Sequence, residues 1–136
     1  PEPGIPLAEL RDTRQGGYAA ADRLLKSGRK FTAVVAHNDL MALGVMERLL
    51  EAGVRIPDEV SIVGSDNLAD SANYPVPLTT MCGDHDAMVN EAIRILLRPD
   101  SAAVHTTFPA RLIVRQSTAA VRHPSLAGLF SKRNSP

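Results

Sequence analysis

Two short apolar runs flanking a helix-length stretch constrain this chain more than any other feature. Thr32-Ala33-Val34-Val35-Ala36 and Val60-Ser61-Ile62-Val63 are too short for ordinary helices and rich in β-branched residues. Residues 39–51 between them carry apolar side chains at helical spacing. Strand, helix and strand in that order, with short connections, specify a right-handed crossover and a parallel sheet. Both runs are near-continuously apolar, the pattern of strands buried on two faces. The predicted fold class is α/β.

The remaining segments fit around this unit. Pro1-Glu2-Pro3-Gly4-Ile5-Pro6 is too proline-rich for a helix or a central strand and reads as an extended lead-in. Thr13 is placed to cap a helix over residues 14–26, ended by Ser27-Gly28. The helix over 39–51 closes at Ala52-Gly53, Pro57-Asp58 makes a turn, and Gly64 is expected to end the second strand. Pro75 and Pro77 predict an irregular stretch over 65–78. A further helix is expected over 84–98, stopped by Pro99, and a last strand over 108–115. From Ala119 onward no periodicity is visible, which predicts a loose tail.

Charge and composition narrow the function classes. The chain has 136 residues, with 15 Lys and Arg against 15 Asp and Glu. Neutrality, with only two Tyr, three Phe and no Trp, lacks both the cationic surface and the stacking platforms of a nucleic-acid grip. The one basic cluster, Lys132-Arg133, reads as a solvated end. No apolar run reaches the roughly 18 residues of a membrane span, and no signal peptide is visible, so a cytoplasmic location is expected. Cys82 is the single cysteine, which leaves no internal disulfide. Residue 1 is Pro, the pattern of a chain cut from something longer.

Ligands of open parallel sheets bind outside the carboxyl ends of the strands. Asn38 follows the first strand there and Asp66 the second. An amide and a carboxylate together suit a ligand with several hydroxyls, such as a sugar or nucleoside. Each has a structural alternative: Asn38 as a helix N-cap, and Asp66 as an Asx-turn residue. The helix over 39–51 has an apolar arc of roughly 200°, wider than one sheet contact needs. That width implies a second partner, either a neighbouring helix or another subunit.

Other patterns resemble enzyme sites. Asp84-His85-Asp86, with Cys82 nearby, has the residue types of an acid–base or metal cluster. The two carboxylates fall at a predicted helix start, where the helix dipole favours them. Neither CxxC nor HExxH spacing occurs, and Gly16-Gly17 precedes no Lys-Ser/Thr, so neither a zinc site nor a P-loop is predicted.

Several segments, in order, resemble one family. Ala36-His37-Asn38-Asp39-Leu40-Met41-Ala42-Leu43-Gly44 is similar to the A-x-N-D-x-x-A-x-G segment of the lactose/galactose-repressor family of bacterial transcription regulators. The stretch from Ala52-Gly53 through Ile56-Pro57-Asp58 to Val63-Gly64, then Asp66-Asn67, Tyr74, Pro77-Leu78-Thr79-Thr80 and Leu112-Ile113-Val114-Arg115-Gln116-Ser117-Thr118, continue the series.

The resemblance implies a periplasmic-binding-protein-like (type I) fold of two α/β lobes closing on a small effector. Here it is incomplete, without the helix-turn-helix domain and most of the N-terminal lobe. Residues 1–82 match part of the C-terminal effector-binding lobe, 83–107 a segment returning to the N-terminal lobe, 108–118 the final strand, and 119–136 a flexible tail. By the same match Asn38, Asp66 and Asp12 face the effector, while Leu43, Met46 and Tyr74 lie in a dimer interface. No catalytic residue, metal or cofactor is implied, and DNA would be bound only through a domain outside these residues. Ser65 stands where an aromatic is common, and Gly83 where several members place a polar effector contact. Two rival readings share parts of this pattern: an exported solute-binding protein of a sugar transporter, and a small hydrolase using Cys82 and His85.

Overall fold

The computed structural model describes residues 11–98 and 105–120. The expected lead-in over 1–6 and the tail beyond residue 120 lie outside the described residues. In chain order the elements are α1 (Arg14–Lys26), β1 (Ala33–Val35), α2 (Asp39–Glu51), β2 (Ser61–Ser65), α3 (Ala69–Asn73), β3 (Thr79–Cys82), α4 (His85–Leu96) and β4 (Arg111–Ile113). The strands form one sheet in the order β1-β2-β3-β4. β1, β2 and β3 run parallel, and β4 is antiparallel to β3.

The helix starts follow from their caps. The Thr13 side chain accepts the Gly16 N–H, Asn38 accepts that of Met41, and Asp84 accepts that of Ala87, so each satisfies a donor the helix cannot. Helix α2 packs between α1 and the sheet. Leu43, Met46 and Leu49 from α2 meet Ile62 of β2 and Leu78 in the buried core. Burying side chains of this size contributes about 1.5–3 kcal/mol each.

Register sorts the sheet into two unlike faces. Val34 pairs with Ile62, and Gly64 with Thr80, on the face covered by the helices. The neighbouring positions Val35, Met81 and Leu112 point to the other face and remain 73%, 42% and 58% exposed. The expectation of strands buried on both faces therefore holds throughout one face only: on the second, residues 115–118 cover Thr79, while Val35, Met81 and Leu112 stay open.

Three further differences have local causes. Gly64 does not end β2, which continues to Ser65 because both residues pair with β3. The stretch predicted irregular contains the short helix α3, and Thr79–Cys82, where no strand was predicted, forms β3. The last strand is shorter than expected and reaches only Arg111–Ile113. Beyond it, Ser117 continues the pairing of β2: its carbonyl accepts the Ile62 N–H at 2.8 Å and its hydroxyl donates to the Ile62 carbonyl at 2.6 Å. The helix expected over 84–98 forms as α4, yet it buries no residue, and Ile93 and Leu96 lie open.

Candidate functional site

The carboxyl edge of the sheet brings the two candidate ligand residues to one level. Val35 and Val63 are register partners, and Asn38 and Asp66 each follow their partner by three residues. Their loops leave adjacent parallel strands side by side, and the Ala36 N–H bridges them by donating to the Val63 carbonyl at 2.9 Å. Asp12 joins from the loop before α1, where its carbonyl oxygen lies 3.4 Å from the Asn38 side-chain nitrogen. The structure thus gathers Asp12 and Asn38 directly, with Asp66 on the neighbouring loop.

Asn38 has the capping role offered as its structural alternative. Its side-chain oxygen accepts the Met41 N–H at 2.8 Å, and its nitrogen donates to Asp12. An amide has two donor hydrogens and two acceptor lone pairs, so one of each remains available. Capping and ligand contact are compatible at this residue.

Asp66 is exposed, and its carboxylate has no hydrogen bond or ion pair among the described residues. Its backbone is held instead. Asp66 and Asn67 have φ of 111° and 56°, a left-handed stretch that Asn and Asp tolerate better than most residues. The cost at Asp66 is on the order of 1–3 kcal/mol and persists only where surroundings fix the conformation. Here they do. The Asp66 N–H donates to the Met81 carbonyl at 2.9 Å, the Asn67 N–H to the Thr80 hydroxyl at 3.3 Å, and the Leu68 N–H to the Asp39 carboxylate at 2.8 Å.

Asp39 was not singled out in the sequence, yet it is the hub of this edge. It is fully buried at the start of α2, where the helix dipole favours a carboxylate. One oxygen accepts the Thr80 hydroxyl at 2.6 Å, and the other accepts Leu68 N–H. Gly64 makes room for it, since a Cβ there would sit 2.3 Å from the Asp39 oxygen. Arg115 braces the same loop from the C-terminal segment, donating to Asn67 Oδ1 at 2.5 Å and to the Leu78 carbonyl at 2.7 Å. The available sequence signal was a carboxylate beside the capping Asn at the head of a largely apolar helix.

The remaining predicted sites fare differently. Leu43 and Met46, expected at a dimer interface, are 1% and 0% exposed in the chain's own core, where α1 and the sheet fill the wide apolar arc. Tyr74 is half-buried against that core, with the Arg14 guanidinium 5.6 Å above its ring. Asp84 caps α4, and the Cys82 thiol donates to the Gly83 carbonyl at 3.1 Å. Among the described residues no group of three or more His, Cys, Asp or Glu is placed to hold a metal ion. A cleft of about 610 Å³ runs along the open edge of β1, lined by Asp12, Val35, His37, Met41 and Val45 among others; neither Asn38 nor Asp66 lines it.

A mixed, mostly parallel sheet with polar groups at its carboxyl edge defines the class of an α/β ligand-binding lobe. A family model for the periplasmic binding protein-like domain matches residues 3–118, and the chain belongs to that family. Its relatives are regulators of the lactose/galactose-repressor type. The transcriptional repressor PurR of Vibrio atlanticus is 41% identical over 78 residues, covering 57% of this chain and 23% of the relative. The lac repressor dimer, solved bound to operator and the anti-inducer ONPF, superposes with a TM-score of 0.74 at 31% identity, covering 79% of this chain and 39% of that one. A LacI family regulator of Arthrobacter sp. FB24, solved with lactose, gives a TM-score of 0.72 at 28% identity, covering 81% and 43%. The chain therefore spans less than half the length of these proteins. No helix among the described residues is long and apolar enough to cross a membrane.

Proposed function

We propose that this chain is the effector-sensing portion of a transcription regulator. It holds a small hydroxylated metabolite, a sugar or nucleoside, between Asn38 and Asp66, with Asp12 alongside. The observation that carries this reading is the pairing of the two loops. Asn38 keeps one donor and one acceptor, and Asp66 presents an unpartnered carboxylate at the same level of adjacent strands. A carboxylate accepts two hydroxyls at once, which suits vicinal diols.

Several features support the wider assignment. Helix α4 leaves the sheet after β3 with an uncovered apolar face, as expected of a segment, residues 83–107, that crosses to a second lobe before residues 108–118 return. Lobe closure on the effector then changes DNA affinity through a helix-turn-helix domain of a longer protein; coupling of this kind is typically about 1–3 kcal/mol. The regulator works as a homodimer in the cytoplasm, and Tyr74 is the interface candidate that keeps side-chain surface. No bond is made or broken in this role, so no residue is assigned to catalysis. The relatives are transcription regulators, which favours this reading over a transporter's solute-binding protein.

A thermal-shift panel of sugars, lactose included, and nucleosides tests the site. A ligand that stabilises the parent chain is expected to leave Asp66→Ala unshifted, with the unliganded melting temperature little changed. An equal shift in parent and variant would place the ligand elsewhere.

A further inference from the structure

We propose that Asp39 and Thr80 are positioning residues that hold the Asp66 loop in its ligand-ready shape. The proposal rests on the ligand reading of Asp66 for its functional meaning, and on the buried contacts alone for its mechanism. Three consecutive peptides, those of Asp66, Asn67 and Leu68, donate to three different acceptors across the loop. Two of these acceptors belong to the Asp39–Thr80 pair. The Thr80 hydroxyl gives its one hydrogen to Asp39 at 2.6 Å and receives the Asn67 N–H at 3.3 Å. It therefore links the α2 start to the left-handed turn, and a residue without a hydroxyl breaks both contacts.

The geometry assigns a role beyond filling space. Thr80 and Asp39 are fully buried, so neither meets a ligand at the exposed sheet edge. Asn38 immediately precedes Asp39 and is itself fixed as the α2 cap. The buried carboxylate thereby fixes the spacing between the two candidate ligand residues: one is its chain neighbour, and the other is two residues before the Leu68 N–H it holds. Gly64 belongs to the same device, because any Cβ there would displace the Asp39 oxygen.

The test compares Thr80→Val, Thr80→Ser and Asp39→Asn with the parent 136-residue chain by amide hydrogen exchange, alongside thermal shifts with lactose and with adenosine. In Thr80→Val, exchange at Asn67 and Leu68 is expected to rise at least tenfold relative to amides in the middle of α2, and Thr80→Ser is expected to restore it to within twofold. Asp39→Asn is expected to open Leu68 in the same way. A probe that stabilises the parent should lose most of its shift in Thr80→Val and regain it in Thr80→Ser. Exchange that rises equally in α2 and the loop, or that Thr80→Ser fails to restore, overturns the positioning role whatever the probes do. Loop-confined exchange with a ligand shift indifferent to Asp66→Ala upholds the mechanism and overturns the ligand reading instead.

Discussion

Gly17 of α1 and Gly44 of α2 are reciprocal contacts at the crossing of the two helices. A Cβ on Gly17 would lie 2.0 Å from the Met41 carbonyl oxygen, and one on Gly44 would lie 1.9 Å from that of Arg14. Each helix rests against the other's backbone, and no flexible side chain is available to yield. Overpacking usually costs about 1–3 kcal/mol, and a clash between backbones belongs at the upper end. Gly17→Ala and Gly44→Ala are each expected to destabilise by about 3 kcal/mol, read as a lowered urea midpoint. Gly83→Ala is the control: its nearest neighbour is Met88 Sδ at 3.7 Å, so its midpoint should move by less than about 0.5 kcal/mol in stability.

Ser117 joins the C-terminal segment to the sheet interior. Its hydroxyl donates to the Ile62 carbonyl at 2.6 Å and accepts the Thr79 N–H at 2.8 Å, all fully buried. Ser117→Ala leaves a backbone donor and a backbone acceptor without that partner. An unsatisfied buried group costs about 1–3 kcal/mol, so a loss in that range is expected from urea unfolding. A loss under about 0.5 kcal/mol would mean that the strand ends re-pair without the hydroxyl.

How much of this was legible beforehand depended on where each residue's partner lies. Helices α1 and α2 were readable to their ends, because Thr13, Asn38 and the terminal glycines act within one turn. Strand β3 was not readable. It has only four residues, follows two prolines, and buries Thr79 and Thr80, which look like surface residues until Ser117 and Asp39 are brought to them. Asp39 was overlooked for the same reason: its partners, Leu68 and Thr80, are 29 and 41 residues away. The shared level of Asn38 and Asp66 at the sheet edge was legible because it follows from strand order alone. The open part of the sheet's second face and the bare face of α4 were not, since among the described residues only 115–118 reach that face, at Thr79.

Acid pH should separate the parent from Asp22→Asn. Lys26, then Arg48, hold the Asp22 carboxyl below its ordinary value of 3.8 in the folded chain. The unfolded chain therefore takes up the proton first as pH falls. The ion-pair contribution is present above that value and disappears as pH drops through the lower folded one. In urea unfolding from pH 7 to 2.5, the stability difference between parent and Asp22→Asn is expected to be constant near neutrality and to shrink below about pH 4. Asp22 is partly exposed and its partner Lys26 largely so, so the gap should also narrow with added salt. A gap that widened in acid would reverse the sign and exclude this carboxylate as its source.

Arg115 is the residue whose conservative replacement should be least tolerated. Its guanidinium donates to Asn67 Oδ1, the Leu78 carbonyl and, at 3.3 Å, the Ser71 hydroxyl, spanning α3 and both of its connections. A lysine keeps the charge but offers one compact ammonium, which cannot match a planar fork with separated donors. Arg115→Lys should thus lose the contact to Asn67 or the one to Leu78, at a cost of about 1–3 kcal/mol. The two outcomes are distinguishable. Losing Leu78 lowers the urea midpoint alone. Losing Asn67 also frees the left-handed turn, so amide exchange at Asn67 should rise and ligand-induced stabilisation should fall, as in Thr80→Val. An Arg115→Lys chain with the parent's midpoint and exchange pattern would show that positive charge, and not the fork, is what the loop requires.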